Sequence, residues 1–161
     1  MTIRSATVED AARICAIYNP YVQGTTVTFE EEPVAEAEMR RRIQDVTIYL
    51  PWLVLEDEGE IVGYAYATKW RARSAYRFSV ESTVYLEQGR TGAGLGTRLY
   101  GELVAELRRR GLRTVIGGVA QPNPASVRLH EKLGFRKVAL FEKVGYKFGQ
   151  WLDVGYWQLH L

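Results

Sequence analysis

A glycine-rich segment between a strand-like run and a helical run constrains this chain more than any other feature. The segment spans Val84–Leu107, and its glycines are Gly89, Gly92, Gly94 and Gly96. β-Branched and aromatic residues precede it, and a leucine stripe of helical spacing follows: Leu95, Leu99, Leu103 and Leu107. A strand, a glycine turn and a helix N-terminus together direct free backbone N–H groups at an anion. The segment therefore predicts a site for the pyrophosphate of a cofactor.

Two common phosphate-binding motifs do not match this segment. A P-loop needs Lys and then Ser or Thr after its last glycine, but leucine follows Gly94 and threonine follows Gly96. A dinucleotide-binding fingerprint needs a third glycine, where Leu99 stands, and an acidic residue at the end of the next strand. That strand ends in Val119-Ala120-Gln121 and carries no carboxylate there. Nucleotide hydrolysis and dinucleotide binding both lose their main support.

Length and composition indicate one ordinary globular domain. The chain has 161 residues, of which 47% are hydrophobic and 25% charged, and its formal net charge is +2. Two basic runs, Arg40–Arg42 and Arg108–Arg110, lie on predicted helices. We interpret both as solvated helix faces, because no DNA- or RNA-binding motif accompanies them.

The single cysteine, Cys15, lies in a predicted amphipathic helix and is expected to be buried. One thiol can form neither an intramolecular disulfide nor a zinc cluster. The chain has no signal segment at Met1 and no apolar run that could span a bilayer. We therefore expect a cytoplasmic protein that binds no metal, no membrane and no nucleic acid.

Strand and helix patterns are mixed along the chain. The predicted strands are Thr2–Thr7, Trp52–Leu55, Ile61–Thr68, Phe78–Leu86, Thr114–Val119, Lys137–Glu142 and Trp151–Leu159. Helices are expected to begin at Thr7, near Pro33 and at Leu95, and a fourth to span Ala125–Leu133. Pro20 should end or bend the first helix. The order favours a mixed α/β sheet over a regular doubly wound one.

The glycine segment, together with Asn123–Phe135 (N-P-A-S-V-R-L-H-E-K-L-G-F), resembles the GCN5-related N-acetyltransferase (GNAT) superfamily. In that family an [RQ]-x-x-G-x-[GA] loop binds the pyrophosphate of acetyl-CoA, and here Thr91 occupies the Arg or Gln position. Longer segments resemble the branch that acetylates phosphinothricin, methionine sulfoximine and methionine sulfone. They are Tyr49–Val54, Ala72–Tyr76, Glu81–Tyr85, Ser126–Glu131 and Gly145–Gln158.

The resemblance implies a single-domain GNAT fold over residues 1–161, with a central, mostly antiparallel sheet flanked by helices. It implies transfer of an acetyl group from acetyl-CoA to the α-amino group of a small anionic amino-acid analogue, through a tetrahedral intermediate. It also implies a homodimer, to which the aromatic hairpin Gly145–Trp157 could contribute an interface. Two alternatives stay open: a non-catalytic CoA-binding sensor or interaction domain, and an acetyltransferase for a different amine.

The resemblance assigns the cofactor contacts to the strand, the glycine turn and the following helix starts. Val84 and Leu86 would pair with the pantetheine arm through their backbone, as an added strand does. Asn123 would bond a pantetheine amide, although asparagine also suits the N-cap of its helix. The expected cofactor-binding residues are Val84, Tyr85, Leu86, Thr91, Gly92, Ala93, Gly94, Leu95, Gly96, Thr97, Asn123 and Ser126.

Two residues are candidates for proton transfer. Glu81 lies among apolar and hydroxyl side chains, where burial raises a carboxyl pKa and suits the group to act as a base; the alternative is an exposed strand carboxylate. His130 stands where many GNAT enzymes carry a tyrosine that protonates the thiolate, so it could act as acid or base; the alternative is a structural histidine. The expected acceptor-binding residues are Phe29, Arg71, Arg73, Tyr76, Thr83 and Tyr85.

Overall fold

Seven strands and four α-helices are seen in the residues that the computed structural model describes, 1–90 and 92–161. The strands are β1 (Thr2–Ser5), β2 (Trp52–Asp57), β3 (Glu60–Lys69), β4 (Ser79–Leu86), β5 (Thr114–Ala120), β6 (Arg136–Lys147) and β7 (Gln150–His160). The helices are α1 (Ala11–Gly24), α2 (Glu36–Thr47), α3 (Leu95–Arg109) and α4 (Pro124–Lys132). Short 3-10 turns lie at Val8–Asp10 and Ser74–Tyr76.

The seven strands form one sheet in the order β1-β2-β3-β4-β5-β7-β6. Its neighbours are antiparallel except β4 and β5, which run parallel. The parallel pair arises because α3 carries the chain across the sheet between these two strands, as a crossover connection must. The predicted mixed α/β architecture with a mostly antiparallel sheet is confirmed.

Each face of the sheet has its own apolar core, because alternate residues of a strand point to opposite faces. One core joins the leucine stripe of α3 to residues such as Leu53, Leu55 and Val115. The other core joins α1 and α2 to residues such as Val54 and Tyr64. The neighbouring positions Leu53, Val54 and Leu55 thus serve different cores, which explains why Trp52–Leu55 of β2 is apolar without interruption.

β4 and β5 pair over only part of their length. Their register joins Ser79–Glu81 to Thr114–Ile116, whereas β4 continues to Leu86 and β5 to Ala120. Beyond Glu81 the two strands therefore separate, and the backbone edges that face each other have no strand partner. This opening positions the candidate site.

The first helix does not end at Pro20, so of the two predicted effects of this proline the helix end is wrong and the bend stays a prediction. α1 continues to Gly24 with Pro20 inside it. Proline removes one backbone donor, but its ring lies on the exposed side of the helix. The last turn is held by tertiary contacts instead: Val22 is fully buried, and the Tyr21 hydroxyl donates to the Leu86 carbonyl at 2.5 Å.

The second helix begins at Glu36, three residues after Pro33, where the sequence placed its start. Val34 is held in an extended segment because both of its backbone groups bond the side chain of Asn19. The Val34 N–H donates to Oδ1 at 2.9 Å, and the Asn19 Nδ2 donates to the Val34 carbonyl at 3.0 Å. No local pattern predicts this contact, because Asn19 lies on α1.

The last hairpin is longer and tighter than predicted. Gly145–Lys147 belongs to β6 and pairs with Gln150–Leu152, so the predicted end of this strand at Glu142 is wrong. The turn consists of Phe148 and Gly149, which have φ values of +52° and +71°. Two positive φ values in a two-residue loop match the twist of antiparallel strands, and this lets both strands extend to the turn.

The central arginine of each basic run is exposed and paired with acids on its own helix. Arg41 bonds Glu38 and Asp45, and Arg109 bonds Glu102 and Glu106. These contacts agree with the predicted solvated helix faces.

Cys15 is buried, as predicted, and burial raises the pKa of its thiol. Within residues 1–90 and 92–161, no group of three or more His, Cys, Asp or Glu side chains is arranged to hold a metal ion. None of the helices in those residues combines the length and apolar character needed to cross a membrane.

Candidate active site

A cavity of about 630 Å³ occupies the opening between β4 and β5 and extends to the starts of α3 and α4. It unites most of the residues that the sequence assigned to catalysis and to the cofactor. The predicted residues that line it are Glu81, Thr83, Val84, Tyr85, Leu86, Gly92, Gly94, Leu95, Gly96, Thr97, Asn123, Ser126 and His130. Residues far apart in sequence thus meet in one cleft.

The glycine turn places the start of α3 against the cavity. Gly92 and Gly94 have φ values of +96° and +73°, which residues with a side chain rarely adopt. Gly94 is the N-cap of α3 in the left-handed conformation. The first N–H groups of a helix have no partner inside it, and those of Leu95, Gly96 and Thr97 lie in the cavity wall. The turn therefore has the geometry of an anion site.

The side chains at the entrance to this turn point elsewhere. Arg90 lies 3.2 Å from Asp57 and 3.8 Å from Glu87, and Glu87 is also 2.7 Å from Arg13. Arg90 and Ala93 do not line the cavity. Thr91, a predicted cofactor contact, lies outside the described residues. The predicted anion site would therefore use the backbone and the start of α3 rather than the Arg90 guanidinium.

The second half of β4 presents side chains to both cores at the cavity. Val84 and Leu86 pack on the α3 side. Tyr85 points to the α1 side, where its ring lies 5.1 Å from the rings of Tyr18 and Tyr21. The hydroxyl of Tyr21 bonds the Leu86 carbonyl and so ties α1 to the cavity wall. Tyr21 was not among the predicted site residues.

Glu81 stands at the last β4–β5 pair, where the strands begin to separate. Burial raises the pKa of its carboxyl above the usual range, and the charge of Arg71 opposes this shift. Among the described residues, no group donates a hydrogen bond to this carboxylate. A half-buried carboxylate without a donor has the properties of a general base, which agrees with the predicted environment.

His130 is 4% exposed, and both of its ring nitrogens have protein partners. Nδ1 lies 2.7 Å from the Ser126 carbonyl oxygen, and Nε2 lies 3.0 Å from the Tyr100 hydroxyl. Burial lowers the pKa of the imidazole, and the bond to Ser126 opposes this shift. The predicted proton-transfer candidate therefore lines the cavity as a hydrogen-bonded, buried ring.

Glu81 and His130 approach β5 from opposite faces of the sheet. A Cβ atom on Gly117 would meet the His130 ring, 2.8 Å from Cδ2, whereas one on Gly118 would lie 3.5 Å from Glu81 Oε1. Neighbouring residues of a strand face opposite ways, so these contacts identify the two faces. Both side chains reach the cavity because β4 and β5 have separated there.

α4 and its N-cap add an amide and two cations to the wall. Asn123 is the N-cap, and its Oδ1 accepts the Ser126 N–H at 3.2 Å, which confirms the predicted capping role. Arg128 and Lys132 lie one helical turn apart, line the cavity and are exposed. No local pattern distinguishes these two cations, because charged residues at such spacing are common on solvated helix faces.

Four of the predicted acceptor-binding residues do not line the cavity. The Phe29 ring packs on Gly145 of β6. Arg71 stacks on Trp70, with 4.2 Å between its guanidinium carbon and the ring centroid, and acts electrostatically on Glu81. Arg73 and Tyr76 are exposed in the connection between β3 and β4. Of these four, only Arg71 is linked to a catalytic candidate, and the acceptor roles stay predictions.

Two polar residues that the sequence did not single out complete the His130 environment. Tyr100 of α3 is fully buried, and its hydroxyl lies 2.5 Å from Ser82 Oγ on β4. Tyr100 follows Leu99 of the leucine stripe, so its pattern is that of a core aromatic. Only the packing of α3 against β4 reveals the hydroxyl as a partner of His130.

A separated parallel strand pair with a glycine turn and a helix N-terminus at its end defines a class of acyl-CoA-dependent transferases. The family model described as an acetyltransferase (GNAT) domain matches residues 3–155. The chain belongs to the GNAT acetyltransferase family. The resemblance drawn from the motifs, and the enzyme class that it implied, are confirmed.

Characterised relatives are similar over nearly the whole chain. The phosphinothricin N-acetyltransferase of Streptomyces viridochromogenes is 42% identical over 97% of this chain and 85% of its own length. The L-methionine sulfoximine/L-methionine sulfone acetyltransferase of Salmonella typhimurium is 39% identical over 100% of this chain and 95% of its own. A phosphinothricin acetyltransferase from Sinorhizobium meliloti, solved in complex with acetyl-CoA, superposes with a TM-score of 0.95 at 39% identity, over 99% of this chain and 88% of its own.

Proposed function

We propose that this protein transfers the acetyl group of acetyl-CoA to the α-amino group of a small anionic amino-acid analogue. The expected acceptors are of the phosphinothricin, methionine sulfoximine or methionine sulfone type, which are the substrates in the names of its relatives. The observation that carries the proposal is the meeting of three features in one cavity. These are a helix N-terminus behind a glycine turn, an unpaired strand edge, and a half-buried carboxyl group.

The residues present fit acetyl-CoA. A pyrophosphate suits the N–H groups at the start of α3, and Arg128 and Lys132 add positive charge at the same cavity. An amide-containing arm suits the β4 edge at Val84 and Leu86, which lacks a strand partner on the β5 side. When bound, acetyl-CoA supplies an activated thioester carbonyl. A backbone N–H of β4 could stabilise the charge that develops on its oxygen.

We assign Glu81 the role of base. An ammonium group must lose a proton before its nitrogen can attack a carbonyl, and Glu81 is the carboxyl group in the cavity with a raised pKa. His130 is the weaker candidate for direct proton transfer, because its two nitrogens are already bonded to Ser126 and Tyr100. The raised pKa brings Glu81 closer to neutrality, where general bases are most effective.

The test is an acceptor panel with acetyl-CoA and a thiol-detecting reagent. The panel contains phosphinothricin, methionine sulfoximine, methionine sulfone, methionine and an aminoglycoside, with the N-acetylated form of each amino acid as a matched blank. CoA release with the first three, and little with the others, is the expected result. Release of CoA only with another amine would show that the proposed acceptor is wrong and that this amine is the substrate. No release with any amine, while CoA itself binds, would favour a non-catalytic CoA-binding domain.

Arg71 provides a test of the acceptor side. Arg71→Gln is expected to raise the KM of phosphinothricin about tenfold, because a guanidinium bond to an anionic group is lost. Loss of this cation also raises the Glu81 pKa further. As the pH is lowered, the activity of the variant should therefore begin to fall at a higher pH than the activity of the wild type. Initial-rate kinetics from pH 5 to 9 measure both effects.

Arg77→Gln is the matched control, because Arg77 also stacks on a neighbouring aromatic ring, at 4.6 Å from Phe78. It should leave both the KM and the pH profile unchanged. Equal effects of the two substitutions would show that Arg71 has no specific role in binding the acceptor.

We also propose a homodimer that uses the β6–β7 hairpin. β6 is an edge strand, and the hairpin carries apolar side chains that are 44–65% exposed: Val138, Leu140, Phe141, Val144, Tyr146, Phe148 and Trp151. An apolar edge of this kind is normally covered.

Sedimentation of the wild type at micromolar concentration should give a dimer. The double variant Val144→Ser with Trp151→Ser should give a monomer. Ile48→Ser, at an exposed site on another face, is the control. A monomeric wild type would contradict the proposal.

The cytoplasmic location of the protein stays a prediction.

A further inference from the structure

We propose that Tyr100 and Ser82 are positioning residues that hold His130 as the neutral Nδ1–H tautomer in the wall of the cavity. The catalytic importance of this arrangement rests on the acetyl transfer proposed above. The arrangement itself rests on a chain of hydrogen bonds that links three elements, β4, α3 and α4. When the His130 ring is neutral, the Ser126 carbonyl at one end of the chain sets the direction of every link.

The Ser126 carbonyl fixes the proton on Nδ1. A carbonyl oxygen accepts hydrogen bonds and cannot donate them, so the 2.7 Å contact requires an N–H at His130 Nδ1. In the neutral ring the other nitrogen, Nε2, then carries a lone pair. The Tyr100 hydroxyl, 3.0 Å away, must donate to it.

Ser82 completes the chain. Because the Tyr100 proton points at His130, the Tyr100 oxygen is free to accept from Ser82 Oγ, 2.5 Å away. Ser82 belongs to the cavity wall, whereas Tyr100 does not line the cavity. Tyr100 therefore acts on the site through His130 and Ser82. The chain runs from the Ser82 hydroxyl through Tyr100 and His130 to the Ser126 carbonyl.

Burial makes the chain rigid. Ser82, Tyr100 and His130 are 7%, 0% and 4% exposed. The Phe135 ring stands edge-on to the imidazole at 5.1 Å, and Gly117 of β5 leaves no space on the other side. The ring can neither rotate nor move into the sheet without displacing one of these neighbours.

Protonation of His130 would leave the bond to Ser126 in place and oppose the other two links. An N–H at Nε2 would face the Tyr100 proton, so the hydroxyls of Tyr100 and Ser82 would both have to reverse. Around the imidazole ring, the neighbouring groups from other elements are Tyr100 of α3, Ser82 of β4, Gly117 of β5, Trp157 of β7 and Phe135. Of these neighbours, only Tyr100 has a side chain that can titrate. Glu81 lies on the far face of the sheet, and the charged neighbours on α4 are Arg128, Glu131 and Lys132, all exposed.

The experiment is nitrogen NMR of the whole protein labelled with ¹⁵N-histidine. The chain has only two histidines, and the second, His160, is exposed and serves as an internal reference. In the wild type, His130 should show a protonated Nδ1 and an unprotonated Nε2 throughout the titration of His160. An Nε2–H tautomer, or titration of His130 together with His160, would overturn the proposal before any variant is made.

Tyr100→Phe removes one hydroxyl and keeps the ring. Nε2 then has no donor, whereas the Ser126 carbonyl still holds the proton on Nδ1. The His130 Nε2 signal should therefore shift, and Nε2 should become protonated at a higher pH than in the wild type. Ser82→Ala should give a smaller shift, since the Tyr100 bond remains. Tyr64→Phe is the matched control, because Tyr64 is as buried but lies in the other core. An unchanged His130 spectrum in Tyr100→Phe would also overturn the proposal.

Kinetics separate positioning from simple stability. Tyr100→Phe should lower kcat about tenfold, the usual effect of losing one hydrogen bond worth 1.4 kcal/mol, while the KM of acetyl-CoA stays unchanged. A rise in that KM with constant kcat would indicate a distorted cleft and contradict positioning. The NMR measurement needs no substrate, so it decides the tautomer even if the acceptor panel shows no acetyl transfer.

Discussion

Glu81→Gln is expected to lower kcat/KM for the acceptor roughly 10²- to 10⁴-fold, the range typical of a lost general base. Glutamine keeps the size of the side chain but cannot take up the ammonium proton. The KM of acetyl-CoA should change little, because the anion site at the start of α3 is untouched. Steady-state kinetics with saturating acetyl-CoA measure the effect. A loss of kcat/KM of less than twofold would show that Glu81 is not the base.

The pH dependence follows from the direction of the Glu81 pKa shift. A base works when deprotonated, so wild-type activity should fall as the pH is lowered through a pKa that burial has raised. This acidic limb should lie above the range of an ordinary carboxyl and should be absent from the residual activity of Glu81→Gln. Glu60→Gln, an exposed carboxylate at the start of β3, is the control and should retain the wild-type profile.

Stability provides an independent check on the same variant. A carboxyl whose folded pKa is raised stabilises the fold fully only below its unfolded pKa, and that contribution is lost as the pH rises through the folded value. At neutral pH the buried Glu81 charge therefore costs stability. Glu81→Gln should unfold in urea at a midpoint no lower than the wild type. This outcome would show that the variant loses activity because it lacks the base and not because its fold is less stable.

Gly117→Ala is expected to destabilise the protein by about 1–3 kcal/mol, the usual cost of overpacking. The new methyl group would meet the His130 ring and lie 3.3 Å from the Tyr100 hydroxyl, and all three residues are buried. The hydrogen-bond chain at His130 should break, with a loss of activity at least as large as that of Tyr100→Phe. Urea unfolding and the acceptor assay measure the two effects.

Gly118→Ala is the matched control on the opposite face of the same strand. Its methyl group would lie 3.1 Å from Tyr156 Cε1, and both Gly118 and part of Tyr156 are accessible, so the ring can move. The reduced entropy of the unfolded chain offsets this cost by about 0.4–1 kcal/mol. We expect a free energy of unfolding near that of the wild type. Equal destabilisation by both substitutions would contradict the proposed face assignment.

Local sequence signals predicted most of the secondary structure, and they did not predict features that depend on distant contacts. The helix stripe beginning at Leu95 and the hairpin around Asp57–Gly59 are present because periodicity and turn chemistry act over a few residues. The helix through Pro20 and the late start of α2 depend on long-range bonds instead. Tyr21 reaches Leu86, and Asn19 holds Val34. Such contacts override local preference and leave no periodic trace.

By itself, the sequence determined the fold class and the glycine turn at which we propose that the pyrophosphate binds. Glycine readily adopts the positive φ values of the turn, and the leucine stripe of the following helix begins directly after it, so this end of the proposed site depends on adjacent residues. The tertiary structure decided how the catalytic candidates relate to one another. Glu81 and His130 reach one cavity from opposite faces because β4 and β5 separate, and Tyr100 becomes the partner of His130 because α3 packs across β4. These relations depend on register and packing between elements 18 to 49 residues apart, which no local pattern specifies.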